Sequence, residues 1–167
     1  MDLYNSQYAI INCQIQSLPM LSWDVIHRLL WDIHPEVYEE METLAEEYDW
    51  HFTYFLDSYS HLKELSVVIT DKDLNIQCAS ENVHKMTSYE NYELIGHTPR
   101  ILQGKDTDGA SKKLIKKAIS DSLPFTARLI NYRKDGTEYG CEIHAFPIFN
   151  GQKETTHFIA FENEYFV

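Results

Sequence analysis

Apolar residues recur at helical spacing in the first part of the chain and at strand spacing in the rest. Val37, Met41, Leu44 and Tyr48 follow at intervals of four, three and four, while Glu36, Glu39, Glu40, Glu42, Glu46 and Glu47 fill the other faces. This is the period of an amphipathic helix, and Pro35 suits its first turn. An earlier helix is predicted from Ser22 as N-cap through Ile26, Leu29, Leu30 and Ile33, and a third carries Phe52, Phe55, Leu56, Tyr59 and Leu62. Past residue 64 the period changes. Val67–Ile69 and Leu74–Cys78 read as short strands around a Thr70–Asp73 turn. Ser80 is a plausible N-cap for a short helix through His84 and Met86, and a second short helix follows Tyr89 and stops at Gly96. Thr107 or Asp108 can cap a longer helix with Leu114, Ile115, Ala118 and Ile119 inward. Three strands close the chain at 124–133, 137–149 and 155–163, with hairpin signals at Asp135-Gly136 and Asn150-Gly151.

Both faces of these closing strands are partly apolar. One carries Phe125, Ala127, Leu129, Asn131, Cys141, Ile143, Ala145, Phe158 and Ala160; the other carries Ile130, Tyr132, His144, Phe146, Ile159 and Phe161. An antiparallel sheet with one solvated face alternates more cleanly than this. The second face is therefore expected to be covered, by the chain's own N-terminal helices or by another protomer, with self-cover plus dimerisation favoured.

Charge sharpens the division. The 167 residues carry a net charge of −12. Residues 1–64 hold 12 acids against Arg28 and Lys63, while the remainder is nearly balanced. Such a chain is poorly suited to neutralising a nucleic-acid backbone, so direct DNA or RNA binding is not expected. No apolar run reaches the length of a membrane span, and the start lacks the basic and apolar regions of a signal peptide. Cys13, Cys78 and Cys141 are few and scattered, which favours a reducing cytoplasm over a disulfide framework.

One stretch carries a specific pattern: Gly96-His97-Thr98-Pro99-Arg100-Ile101-Leu102-Gln103-Gly104-Lys105-Asp106-Thr107-Asp108. It resembles the flavin-binding signature of LOV photosensor domains, a branch of the PAS superfamily, which reads Gly-x-Asn-Cys-Arg-Phe-Leu-Gln-Gly-x-x-Thr-Asp. The resemblance spans roughly residues 64–164. It implies an α+β PAS fold, a five-stranded antiparallel sheet with flanking helices, as a domain over 64–167. An N-terminal helical extension over 1–63 precedes it, covering the sheet or dimerising.

The resemblance also implies site residues. Arg100 matches the arginine that binds the flavin phosphate, and Lys116 stands where many LOV proteins have a second phosphate-binding arginine. Gln103 matches a ribityl contact, and Asn131 the asparagine that bonds the pyrimidine edge of the flavin. Other positions depart. Pro99 replaces the photoactive cysteine, Thr98 the motif asparagine, Cys141 a second flavin-binding asparagine, and Glu162 the glutamine of the last strand. A thiol is a weak hydrogen-bonding group, and an ionised carboxylate has no donor for a carbonyl. If Glu162 faces a closed cavity, it is expected to be protonated or paired. Taken singly, Arg100, Gln103 and Asn131 also fit ordinary surface or turn roles, and Cys141 an inert core thiol.

Other chemistries find less support. No histidine lies between Thr98 and Ile143, which disfavours haem of the PAS type, and the eight histidines show no zinc spacing. There is no Gly-x-Ser-x-Gly, phosphate loop, GxGxxG or kinase pattern, so no catalytic residue is assigned and an enzyme is not expected. The expectation is a stand-alone sensory protein coupling cavity occupancy to association, without cysteinyl-flavin photochemistry. A homodimer or a signalling protein would dock through the N-terminal helices and outer sheet face. The cavity would take FMN, another flavin or another small anionic ligand. Two alternatives stay open: a ligand-free interaction module, and a cysteine-less flavin photoreceptor signalling by photoreduction.

Overall fold

The computed structural model describes residues 34–51 and 64–166. The helices expected around Ser22–Ile33 and Phe52–Leu62, and Cys13, lie outside the described residues. The elements in order are α1 (Pro35–Glu47), β1 (Trp50–His51), β2 (Ser66–Asp71), β3 (Ile76–Ala79), α2 (Val83–Thr87), α3 (Asn91–Leu94), a 3-10 turn (Pro99–Leu102), α4 (Gly109–Ser120), β4 (Phe125–Tyr132), β5 (Glu138–Asn150) and β6 (Thr155–Tyr165). The strands form one antiparallel sheet running β3-β2-β6-β5. Strands β4 and β1 share the remaining edge of β5: β4 lies along Glu138–Ala145 and β1 along Phe149–Asn150. The sheet therefore has six strands where the pattern predicts five. Strand β1 is only two residues long, too short for alternation to mark it in the sequence.

Helix α1 lies across one face of this sheet. Val37, Met41 and Ala45 form its buried stripe and meet Val67, Ile69, Cys78, Ile148, Ile159 and Phe161. Trp50 of β1 joins the same core. The other face carries the short helices. Val68, Ile76 and Ala79 pack there with Val83, Leu94 and Leu102. Because both faces are covered, β2 is buried along Ser66–Thr70, which explains its continuous apolar run.

Local chemistry differs from the sequence reading at several points. Asp108 caps α4, accepting from the Ala110 and Ser111 amides at 3.0 and 2.6 Å. The Ser111 hydroxyl, then these two amides, hold its carboxyl down at about 2. Thr107 instead donates to the Ile130 carbonyl at 2.6 Å and accepts from the Gly104 amide at 2.9 Å, tying the motif loop to β4. Gly104 leaves no room for a side chain, since a Cβ would lie 2.3 Å from the Tyr132 ring. On α4 only Ala118 is buried; Leu114, Ile115 and Ile119 are half-buried.

Ser80 does not cap a helix. Its hydroxyl accepts from the Val67 amide at 2.8 Å and donates to Asn82 Oδ1 at 2.5 Å, bracing β2 against the entry to α2. The Asp135-Gly136 signal marks the hairpin between β4 and β5, where the Arg133 amide bonds the Thr137 carbonyl, the Gly136 amide bonds the Arg133 carbonyl, and Gly136 takes φ +86°. Asn150-Gly151 marks the hairpin between β5 and β6, whose loop closes in the same way, with the Asn150 amide on the Glu154 carbonyl and the Lys153 amide on the Asn150 carbonyl. Asn150 Oδ1 accepts from the Gln152 and Glu154 amides, and Lys153 takes the left-handed conformation at φ 65°. The side-chain cap helps to hold the loop.

Replacing Met41, which is fully buried between α1 and the sheet, by alanine is expected to cost about 2–5 kcal/mol. Alanine at exposed Glu39 should stay within about 0.5 kcal/mol. Urea denaturation of the two variants checks the difference, and equal midpoints would contradict the packing.

Candidate functional site

Strand alternation gathers polar residues on the helix-covered face of the sheet. Asn131 of β4 pairs with Tyr139 of β5, Leu129 with Cys141, and Ile143 with Glu162 of β6. Directly paired residues share a face, as do residues two apart along a strand. Asn131, Tyr139, Cys141 and Glu162 therefore form one strip, and all four are buried. Cys141 Sγ lies 3.7 Å from Glu162 Oε2, a weak thiol-to-carboxyl contact.

Among the described residues this strip is short of partners. Asn131 Oδ1 and the Tyr139 hydroxyl are buried without a hydrogen bond, and so is Thr70 Oγ1 on β2. A buried polar atom left unsatisfied costs about 1–3 kcal/mol, so three in one sheet require an explanation. Nearby apolar residues leave room. Ile143 and Ala160, on central strands and facing the same way, are only half-buried, whereas Ile159 and Phe161 on the α1 side are fully buried. The helix-covered face is thus less completely filled than the face under α1.

Burial dominates the electrostatics here. It raises the Glu162 carboxyl to about 7, with the Cys141 contact opposing only weakly. Burial, then the nearby Glu162, pushes the Cys141 thiol well above its ordinary range. The Tyr139 phenol is raised by burial and by the same neighbours. The Cys141 sulfur therefore holds its proton and is a poor nucleophile.

Arg133 closes one end of the strip. Its Nη1 donates to the Met86 carbonyl at the end of α2, and its Nη2 donates to Glu164 Oε1 at 2.7 Å. Its guanidinium also sits 4.8 Å from the centre of the Tyr139 ring. The residues expected at an anionic end lie elsewhere. Arg100, in the 3-10 turn, and Lys116, on α4, are exposed, and among the described residues neither has an ion-pair partner. Gln103 is half-buried just after the turn, and Pro99 opens it.

The structure thus brings Asn131, Cys141 and Glu162 together in one buried strip and leaves Arg100, Gln103 and Lys116 on the helical side. Sequence reading missed Tyr139, Thr70 and Arg133. Tyr139 could have been found, because it stands two residues before Cys141 on an alternating strand. Arg133 could not, since its role depends on where α2 and β6 end.

The PAS domain family matches residues 64–164. The chain belongs to the PAS domain family, in its LOV-like branch. Phototropin-2 of Oryza sativa subsp. japonica is 36% identical over 110 residues, covering 65% of this chain and 12% of that protein. A blue-light-activated histidine kinase of Brucella canis is 37% identical over 76 residues, covering 46% of this chain and 16% of that protein. The chain thus spans a small part of the curated relatives it matches. Among solved structures, the LOV domain of the Erythrobacter litoralis blue-light activated histidine kinase superposes with TM-score 0.57 at 22% identity, over 60% of this chain and 94% of that one. The light-state structure of the blue-light photoreceptor Aureochrome1 LOV gives TM-score 0.60 at 24% identity, over 67% of this chain and 90% of that one. At these identities the likeness shows the fold. The protein is a LOV-like PAS sensor domain related to blue-light photoreceptors. Among its described residues no helix is long and apolar enough to cross a membrane, and no three His, Cys, Asp or Glu side chains group to hold a metal.

The Glu162 carboxyl gives this PAS domain a distinctive stability profile. Its folded value of about 7 lies above the ordinary 4.5, so the folded protein keeps a proton that the unfolded chain releases. Stability should therefore fall as pH rises from about 4.5 to 7 and level off above that, by roughly 3 kcal/mol from this group. Urea unfolding of wild type and Glu162→Gln at pH 5 and pH 8 tests it. The variant should lack this contribution, and parallel profiles would contradict a buried neutral carboxyl.

Proposed function

We propose that this PAS domain is a sensory module that couples occupancy of a cavity to protein association. That cavity would lie between the polar strip and helices α2 to α4. One observation carries the proposal: Asn131 Oδ1, the Tyr139 hydroxyl and Thr70 Oγ1 are buried on one sheet face without protein partners. Polar groups so placed suit a bound ligand that completes their hydrogen bonds.

A flavin, FMN in particular, is the ligand class these residues fit. Asn131 offers both an acceptor and a donor to a ring edge, which its unpartnered Oδ1 leaves available. Gln103 would meet the ribityl chain. Arg100 and Lys116, exposed and unpaired among the described residues, would hold a phosphate at the cavity mouth. When bound, a flavin supplies absorption of blue light and reversible reduction. The names of the relatives, which describe blue-light sensing, support this choice.

Signalling would not run through a cysteinyl adduct. Pro99 opens the 3-10 turn where the family signature has its cysteine. Cys141 lies on the sheet instead, with its thiol proton held by burial. The route outward would be through β6. Glu162 faces the strip, and the adjacent Phe161 packs in the core beneath α1 with Met41 and Val37. A change in the hydrogen bonding of Glu162 thus acts one residue from the α1 interface and can shift a pre-existing equilibrium there. A second copy or a signalling protein would read that shift at α1 and the outer sheet face.

The visible spectrum of the purified protein, with mass analysis of anything released on denaturation, is the direct test. A flavin spectrum, with affinity lowered about tenfold in Asn131→Ala, is the expected result for loss of one hydrogen bond. A colourless protein that takes up no FMN from excess would overturn the flavin assignment and favour a ligand-free interaction module.

A further inference from the structure

We infer that Glu162 serves the cavity in its neutral form, donating a hydrogen bond to a carbonyl on the ligand's edge, so that binding takes up a proton. This rests on the flavin reading above and adds the protonation state that selects the ligand.

The argument starts from what surrounds the carboxyl. Glu162 is 6% exposed, and its one hydrogen-bond contact among the described residues is the Cys141 thiol at 3.7 Å. On β5 its direct partner is Ile143, with the Cys141 thiol diagonally beside it, and neither is a cation. On β2 its partner is Ser66. Along β6 the next residue on its face is Glu164, whose carboxylate is engaged by Arg133 at 2.7 Å. Arg133 is the cation at this end of the strip; its Nη1 donates to the Met86 carbonyl and its face lies against the Tyr139 ring. Helix α2 brings Met86 to the cluster. Nothing among these groups balances a negative charge on Glu162, so burial favours the neutral carboxyl.

A neutral carboxyl has a donor, and an ionised one has none. With Asn131 contributing an acceptor and an amide donor, neutral Glu162 completes a donor, acceptor, donor array. That array complements a cyclic imide edge, carbonyl–NH–carbonyl, as in the pyrimidine ring of a flavin. Ionised Glu162 would set an oxygen acceptor against a carbonyl oxygen and leave a buried charge unpaired. A ring bearing an amino group there would prefer the ionised form, so the pH dependence of binding reports which edge the site takes.

Riboflavin is the suitable probe, because it has no phosphate to titrate. Its dissociation constant would be measured by fluorescence quenching from pH 5.5 to 8.5 in wild type and Glu162→Gln. In wild type the constant should rise about tenfold per pH unit once the free carboxyl ionises. The glutamine amide donates at every pH, so the variant should bind with a flat profile. Calorimetry of wild type at pH 8 in two buffers of different ionisation enthalpy gives a second readout, in which close to one proton should enter with each ligand. Matching pH profiles in the two proteins, affinity that improves with pH, or binding without proton uptake would each overturn the role of Glu162 while leaving flavin binding intact. Failure of folded wild type and folded variant to bind riboflavin or FMN at any pH would instead overturn the flavin reading itself.

Discussion

The ladder between β5 and β6 runs from Gly140 opposite Tyr165 to Phe149 opposite Thr155, and both strands are flanked on their outer edges. Its register decides which residues face α1 and which face the short helices. In the observed register Ile159 and Phe161 enter the apolar core under α1, while Glu162 and Cys141 enter the polar strip. Turning β6 over by one residue would bury Glu162 among Val37 and Met41 and push Phe161 into the strip. Core and candidate site therefore depend on the same pairing. That single constraint makes the sheet both the scaffold and the route between the two faces.

The two faces are built to different standards. Under α1 the side chains are apolar, and most are fully buried. On the opposite side the apolar groups fall into two separate clusters, and buried polar atoms stand without protein partners. A protein selected for stability alone would fill such a strip with hydrocarbon, since a satisfied apolar core is favoured over a half-satisfied polar one. Departures from local consistency of this kind collect where a molecule does its work. Arg133 limits the cost by joining α2, β6 and the Tyr139 ring at one end.

Much of the fold was legible in the chain, because it depends on periodicity and turn chemistry. The helical spacing that starts at Val37 and Met41, the alternation in β4 to β6 and the Asp108 cap can each be read locally, although the buried stripe of α1 continues through Ala45, with Leu44 half-buried and Tyr48 exposed. What failed were positions where two local readings compete. Ser80 could cap a helix or brace a neighbouring strand, and a β2 amide 2.8 Å away decides for the strand. Strand β1 exists only because β5 runs past the end of β4 and leaves Phe149 and Asn150 open to pairing.

The sequence by itself determined the class of fold and three of the four members of the strip, because side chains alternate along a strand wherever it lies. Asn131, Cys141 and Glu162 were identifiable from their place in a family pattern, and their common face follows from spacing and pairing. Only the tertiary structure decided their condition. Burial by α2 and by the neighbouring strands leaves Asn131 and Tyr139 without partners and makes the Glu162 carboxyl hard to ionise. Solvent exclusion is a property of everything packed around a group, and no local stretch of sequence encodes it.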